Sequence, residues 1–162
     1  MGIIWSAALA NDKQVADLQA KPEVIADFIN ECVETGFGID LDKEWHAVHY
    51  LLTGSATPTD GSLSFVLGAW TEVGPDNGYG PAWHVPNEAV AAFHLALGKL
   101  SDDQLRARYD AAAMVRDRVY IADALAQEGE DARAAIIQDI DRLRTFAAQG
   151  AKNGSHAFGM LS

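Results

Sequence analysis

The stretch DLDKEWHAVHYLLTG, residues 40–54, is the strongest folding signal in the chain. Its large apolar residues recur at positions i, i+4, i+7 and i+11, which together form one face of an α-helix. These inward-facing residues are Leu41, Trp45, Val48 and Leu52. Either Asp40 or Asp42 is suited to cap the start of the helix, and Gly54 is suited to end it. The stretch therefore predicts a helix that packs on a core.

Two histidines on this stretch raise the question of a functional site. Because an α-helix turns by about 100° per residue, His46 and His49 lie about 60° apart and can face one point. His49 also lies about 40° from Trp45, at the border of the apolar face. Three interpretations are open: structural histidines, a small-ligand pocket, or a metal site with a third ligand from elsewhere. The pattern HxxH lacks the glutamate of a metalloprotease helix, so we predict neither a metal nor another cofactor.

Length and composition favour one packed domain over residues 1–162. The chain is 49% hydrophobic, which lets burial offset the entropy lost on ordering. Acidic residues outnumber basic residues 23 to 12, and the net charge of −11 repels phosphate backbones and anionic membranes. We therefore expect a protein or a small molecule as the partner, and neither nucleic acid nor a membrane.

The cysteine content and the N-terminal sequence indicate a cytoplasmic protein. Cys32 is the only cysteine, so no internal disulfide can form. Its neighbours Glu31 and Glu34 disfavour a reactive thiolate, and we predict a small core residue. The first residues, MGIIWSAALANDK, lack the basic region of a signal peptide.

The rest of the chain indicates mostly helix with a few short strands. Strands are predicted at residues 3–7, 82–85 and 156–161, whereas residues 61–73 fit either a helix or a strand. Further helices are predicted for DKQVADLQA, KPEVIADFINECVE, NEAVAAFHLALGKL, residues 114–126 and DARAAIIQDIDRLRTFAAQ. The sequence SDDQ forms a capping box and predicts a helix start near Ser101. Strands this far apart predict a helix-rich α/β (mixed α+β) domain with one small mixed sheet flanked by helices.

A second candidate region is GPDNGYGP, residues 74–81. Its glycines and prolines predict a loop and exclude the interior of a helix or strand. Tyr79, between Gly78 and Gly80, is suited either to line a ligand pocket or to pack over the core within a turn. Neither GK[ST] nor GxGxxG occurs in the chain, so the loop is not a known phosphate-binding fingerprint.

Together the helix and the loop define a candidate pocket. Its residues are Asp40, Asp42, Trp45, His46, His49, Tyr79 and Gly80. The first hypothesis is a binding domain that engages a protein or a small molecule through this cleft or through its acidic surface. The alternative is a small-molecule enzyme in which His46 or His49 acts as general base, oriented by Asp42 or Asp40. No complete catalytic constellation is recognisable, so we favour the binding domain.

Three stretches together resemble a known family. MGII, DLDKEWHAVHYLLTG and GYGPAWHVPNEAVAAF are similar to the YfbM-like family of small bacterial proteins, and the similarity extends to LRTFAAQGAKNGSHAFGMLS at the end of the chain. The resemblance implies a single α/β domain with helices around a mixed sheet, and it implies no activity, cofactor or catalytic residue. One departure is visible: family members tend to carry a tyrosine–proline pair where this chain has Tyr120 followed by Ile121, which affects a local turn.

Overall fold

The computed structural model describes residues 2–162, which form one five-stranded sheet with helices on both faces. The strands are β1 (Trp5–Ala10), β2 (Gly38–Asp40), β3 (Thr71–Asp76), β4 (Pro81–Val85) and β5 (His156–Leu161). The helices are α1 (Asp12–Ala20), α2 (Ile25–Thr35), α3 (Trp45–Thr53), α4 (Asn87–Leu97), α5 (Asp102–Arg108), α6 (Ala111–Arg116), α7 (Ala122–Glu128) and α8 (Glu130–Asn153). This arrangement confirms the predicted mixed α+β class with a small sheet flanked by helices.

The sheet has the strand order β2–β1–β5–β4–β3, and every neighbouring pair is antiparallel rather than mixed in direction. Two connections between strands produce this antiparallel order. Strands β3 and β4 form a hairpin. The connection from β1 to β2 contains two helices, α1 and α2. It returns the chain to the sheet so that Gly38, the first residue of β2, pairs with Ala8 near the end of β1, and the two strands are antiparallel.

Alternating side chains of the central strands divide the interior into two cores. In β1, Ala7 contacts the core shared with α3 to α8, whereas Ala8 contacts the core beneath α1 and α2. In β5, Ala157 and Phe158 divide in the same way. Because β1 is covered on both faces, its sequence WSAALA is almost wholly apolar and shows no alternation of polar residues.

Several local predictions are confirmed. The capping box at Ser101 is formed, with the serine and Gln104 each bonding the other's backbone N–H. The closing strand occupies residues 156–161 as predicted. The first strand exists but begins at Trp5, later than expected. Strand β2 was not predicted, because three residues cannot display a periodic pattern.

The predicted helix over residues 114–126 is wrong, since the chain forms the two shorter helices α6 and α7 there. Arg118 and Ile121 between them have φ angles of 59° and 54°. A side chain with a β-carbon rarely adopts this left-handed region, and a right-handed helix cannot contain it. The helix is therefore interrupted at the tyrosine–isoleucine pair where the sequence departs from the family pattern.

The prediction of a loop over residues 74–81 is wrong for its first three residues, which belong to β3, and for its last residue, Pro81, which begins β4. Gly74 and Pro75 lie in a bulge between Val73 and Asp76, where the register of the hairpin shifts. A proline is tolerated there because β3 is an edge strand and its outer backbone groups have no neighbouring strand. Residues 61–70, which fitted either a helix or a strand, form neither.

Candidate functional site

Helix α3 carries the two histidines singled out from the sequence. The four residues predicted to face inward are buried, with at most 6% of each exposed: Leu41, Trp45, Val48 and Leu52. The predicted cap is wrong, because Glu44 precedes the helix and no side chain caps it. The Oδ1 atom of Asp40 instead accepts a bond from the N–H of Asp42, which turns the chain with a φ of 43° before the helix begins. Gly54, with a φ of 74°, ends the helix as predicted.

Both ring nitrogens of His46 bond to the backbone. The N–H of Tyr120 donates to Nδ1 over 2.9 Å, and this makes Nδ1 the acceptor. Nε2 therefore carries the proton and donates to the carbonyl of Ala56 over 2.7 Å. The ring also stacks on Trp45 with a centroid distance of 4.9 Å. His46 is held as one neutral tautomer with no nitrogen free for a metal or for proton transfer.

His49 is fully buried and bonds to the same loop. Its Nε2 atom donates to the carbonyl of Thr57 over 2.9 Å. Within the described chain its Nδ1 atom has no hydrogen-bond partner. Burial is the main cause that lowers the pKa of His49; the bond to Thr57 opposes this shift, and His46 adds to it. His49 is thus a neutral core residue without contact to solvent.

The remaining polar side chains of α3 also anchor distant segments. Trp45 donates from its indole nitrogen to the carbonyl of Ile3 over 3.0 Å. The Tyr50 hydroxyl donates to Asp117 over 2.6 Å. Together with the two histidines, these bonds tie the N-terminal segment, the loop after α3 and the turn after α6 to one helix. The WHxxHY pattern is explained by these structural contacts.

The structure does not gather the whole predicted pocket at one place. Asp40 and Asp42 lie directly before α3, which carries the tryptophan and both histidines. Tyr79 and Gly80 lie in the turn between β3 and β4, where the tyrosine is 54% exposed. Strands β1 and β5 separate β2 from this hairpin, and at a strand spacing of about 4.8 Å the two segments are roughly 15 Å apart or more. The cause is the pairing of β4 with β5, which the sequence does not reveal.

A second group of histidines is not apparent from the sequence. His84 on β4 and His156 on β5 approach through Nε2 and Nδ1 at 2.9 Å. The Nε2 atom of His156 lies 3.2 Å from a carboxylate oxygen of Asp12, at the start of α1. We call Asp12, His156 and His84 the relay. Its members come from three elements, and the two histidines are 72 residues apart in sequence, so only the strand order reveals the group.

The direction of the hydrogen bonds in the relay follows from the carboxylate, which can only accept when ionised. Nε2 of His156 donates to Asp12, so in the neutral ring Nδ1 accepts from Nε2 of His84. Nδ1 of His84 is then an acceptor, and it bonds to no other residue among 2–162. Burial and the neighbouring His156 lower the pKa of His84, while Glu88 opposes the shift. The relay thus ends in a neutral, unpartnered nitrogen.

A cleft of about 700 Å³ lies between α1, α2 and the end of α8. We call it the α1–α2–α8 cleft. Its lining residues are Leu9, Ala10, Asn11, Gln14, Phe28, Glu31, Cys32, Thr35, Phe37, Gln149, Asn153 and Ser155. Cys32 is partly exposed here rather than a core residue, because its side of α2 faces the cleft. Burial and the adjacent Glu31 raise the pKa of the Cys32 thiol, which keeps it protonated.

Another cleft, of about 460 Å³, lies at the C-terminal end of α3, and we call it the α3-end cleft. It is lined by the end of α3, by one residue of the segment after α3, and by residues from the end of α5 to α6: Tyr50, Leu51, Leu52, Thr53, Gly54, Leu63, Arg108, Asp110 and Ala113. Within residues 2–162, no three histidine, cysteine or acidic side chains cluster as metal ligands. Over the same residues, no helix combines the length and the apolarity that crossing a bilayer requires.

Comparison with known proteins gives a family and a fold. A family model described as a domain of unknown function, DUF1877, matches residues 1–158. The crystal structure of YfbM from Escherichia coli, a protein of unknown function, superposes with a TM-score of 0.73 over 98% of this chain and 99% of that one, at 23% sequence identity. No curated protein matches the chain. With the family model spanning nearly its whole length, the chain belongs to the YfbM-like DUF1877 family.

Proposed function

We propose that this chain is a binding domain for an uncharged, polyhydroxylated small molecule, such as a sugar or a polyol. The proposed binding site is the α1–α2–α8 cleft. Its volume of about 700 Å³ lies within the range of small-ligand sites. The proposal rests on a set of uncharged hydrogen-bonding side chains in the cleft. Two of them have a fixed orientation and an NH₂ group that bonds to no described residue.

Those two side chains are Asn11 and Gln14, which form the capping box of α1. The Oδ1 atom of Asn11 accepts from the N–H of Gln14 over 2.8 Å, and the Oε1 atom of Gln14 accepts from the N–H of Asn11 over 2.9 Å. Each amide oxygen is thereby engaged and each NH₂ group is left as an oriented donor. Oriented donors favour a ligand that presents oxygen acceptors, because little entropy is lost in ordering them.

The rest of the lining favours the same ligand class. Gln149 and Asn153 line the cleft from α8 and make no side-chain hydrogen bond within the described chain, so their amides are available. Phe37, which is 69% exposed, provides an apolar surface for the C–H face of a sugar ring. Glu31 is the one charged lining residue, in a chain with a net charge of −11. A neutral ligand fits this lining better than an ion does.

The test is a titration of the protein with neutral monosaccharides, disaccharides and polyols, followed by NMR and calorimetry. Each sugar is paired with its phosphate ester as a charged counterpart. We expect saturable binding of a neutral compound, weakened about tenfold by Gln149→Ala or Asn153→Ala through loss of a hydrogen bond. Gln138→Ala, at an exposed position of the same helix outside the cleft, is the matched control. The proposal fails when no neutral compound binds, or when the control variant weakens binding equally.

The second candidate function is an acid–base enzyme, and the relay supports it rather than His46 or His49. A general base must be neutral at working pH and must have a free lone pair. The lowered pKa of His84 favours the neutral ring, and its Nδ1 atom bonds to no described residue. The test is hydrolysis of a chromogenic acetate ester. A rate above that of free imidazole, lost in His84→Gln and retained in His46→Gln, supports this function. A rate unaffected by His84→Gln excludes it.

A further inference from the structure

We infer that the α3-end cleft is a binding site for a free α-amino acid, held by its carboxylate and its ammonium group. The site is separate from the α1–α2–α8 cleft, so this inference stands independently of the proposed function. Its basis is that the cleft carries one cationic and one anionic side chain that are not paired with each other.

The cationic side is Arg108. Its NH1 atom donates to the carbonyls of Leu51 and Leu52, each over 3.2 Å, which fixes the guanidinium at the last turn of α3. Within residues 2–162, no carboxylate lies within 4.0 Å of this side chain, although most arginines of the chain have one. Among the described residues, the Nε and NH2 groups of Arg108 donate to no acceptor. A guanidinium that is oriented by two carbonyls and lacks an anion suits a ligand carboxylate.

The anionic side is Asp110, and the neutral side chain of Tyr50 also lines the cleft. The Oδ1 atom of Asp110 accepts from the N–H of Ala113 over 3.0 Å as the cap of α6, and Oδ2 bonds to no described residue. The Tyr50 hydroxyl donates its proton to Asp117, so its oxygen keeps only lone pairs for a further hydrogen bond. A carboxylate oxygen and a phenolic oxygen that both accept suit an ammonium group. A simple anion would be repelled by Asp110 and a simple cation by Arg108.

The lining of the cleft also includes apolar side chains. Leu51, Leu52 and Ala113 are buried with their exposed fractions below 9%, and Leu63 is half-buried beside them. A volume of about 460 Å³ accommodates a small molecule with a short aliphatic side chain. L-leucine has this combination of a carboxylate, an ammonium and a branched apolar group, and it serves as the first probe.

The experiment measures binding of each common α-amino acid by calorimetry and by ¹⁵N chemical-shift changes. L-leucine is compared with isocaproate, which lacks the ammonium, and with isoamylamine, which lacks the carboxylate. We expect an aliphatic amino acid to bind at least about tenfold more tightly than either analogue, because only it satisfies both charged sides. Equal binding of the three compounds, or no saturable response to any amino acid, overturns the inference.

Two variants test whether amino-acid binding takes place in the α3-end cleft. Asp110→Asn removes the charge but keeps a capping oxygen for Ala113, so the fold is retained. It is expected to weaken amino-acid binding about tenfold and to leave isocaproate binding unchanged or tighter. Arg108→Lys is expected to weaken isocaproate and the amino acid together, because lysine lacks the guanidinium fork. Asp103→Asn, an exposed charge removal on α5 outside the cleft, is the control, and an equal loss there overturns the inference.

Discussion

The two pairs of histidines differ in what their ring nitrogens contact. His46 and His49 are three residues apart on one helix, and three of their four nitrogens bond to backbone groups, while the fourth is buried. His84 and His156 are far apart in sequence and bond to each other, and their chain ends at an exposed carboxylate on one side and a free nitrogen on the other. The first pair holds segments together, and the second pair leaves Nδ1 of His84 without a partner among the described residues.

This difference shows that close spacing of histidines on a helix does not by itself indicate chemistry. A backbone carbonyl or N–H fixes the tautomer of an imidazole and occupies the lone pair or the proton that a reaction would need. In the relay the Asp12 carboxylate sets the direction of the bonds, and Nδ1 of His84 has no partner among the described residues. Partner identity therefore separates a structural histidine from a reactive one, and it can be tested at both pairs.

The largest expected effect is a loss of folding stability when a histidine of the α3 pair is replaced. His49→Ala should lower the free energy of unfolding by about 2–4 kcal/mol, because it leaves a cavity in the core and removes the donor to the Thr57 carbonyl. Urea unfolding at neutral pH measures the change. Amide hydrogen exchange should also become faster in the loop after α3, since its anchor is lost.

His94→Ala provides the matched control for this measurement. His94 lies on α4, is partly exposed and makes no side-chain hydrogen bond among the described residues, so its removal should change stability by less than about 1 kcal/mol. A loss at His94 as large as the loss at His49 would show that burial and backbone bonding do not distinguish the α3 histidines.

The next largest effect is on the pH dependence of stability, to which Asp139 and His49 contribute with opposite signs. Burial, with smaller contributions from Glu44 and Asp40, raises the pKa of Asp139 to about 6 despite its ion pair with Arg142. The folded state therefore holds this proton more tightly than the unfolded state, and stability increases as the pH falls through about 6. The lowered pKa of His49 has the opposite sign, so stability falls as the pH drops below the ordinary histidine value of 6.5.

Variants can separate the contributions of Asp139 and His49 to the pH dependence of stability. Asp139→Asn should raise stability above pH 7 by about 1–3 kcal/mol, since no buried charge has to form, and should steepen the loss of stability below pH 6.5. His49→Gln should flatten that loss, because glutamine does not titrate. Urea unfolding between about pH 5 and pH 8 tests both variants. Superimposable profiles for wild type and Asp139→Asn would contradict the assignment.

The fold was predictable where local sequence determines structure. The apolar face of α3 and the Ser101 capping box depend on residues within one or two turns, and both were found from the sequence. The interruption between α6 and α7 was not found, because Ile121 accepts a strained φ in a turn where the N–H of Tyr120 bonds to His46, 74 residues earlier in the chain. Propensity carries no information about such a tertiary bond.

The candidate site was less predictable for the same reason. The sequence placed His46 and His49 on one helix but gave no indication that backbone groups would occupy their nitrogens. The relay requires Asp12 to meet a histidine 144 residues later in the chain, and this follows from the strand order alone. Long-range pairing of strands is not encoded in any short window of sequence, so no motif search could assemble the relay.

The smallest expected effect is on the reactivity of single imidazoles towards diethyl pyrocarbonate, which acylates neutral ring nitrogens that reach solvent. In the folded protein His84 should be acylated at Nδ1, whereas His46 and His49 should be protected because their nitrogens are bonded or buried. Peptide mass spectrometry gives the rate at each residue. Asp12→Asn should slow the reaction of His84 only about twofold, because the exposed carboxylate acts on it through His156. Equal rates at His84 and at the α3 pair would remove the distinction, and a His84 rate unchanged by Asp12→Asn would show that the carboxylate does not polarise the pair.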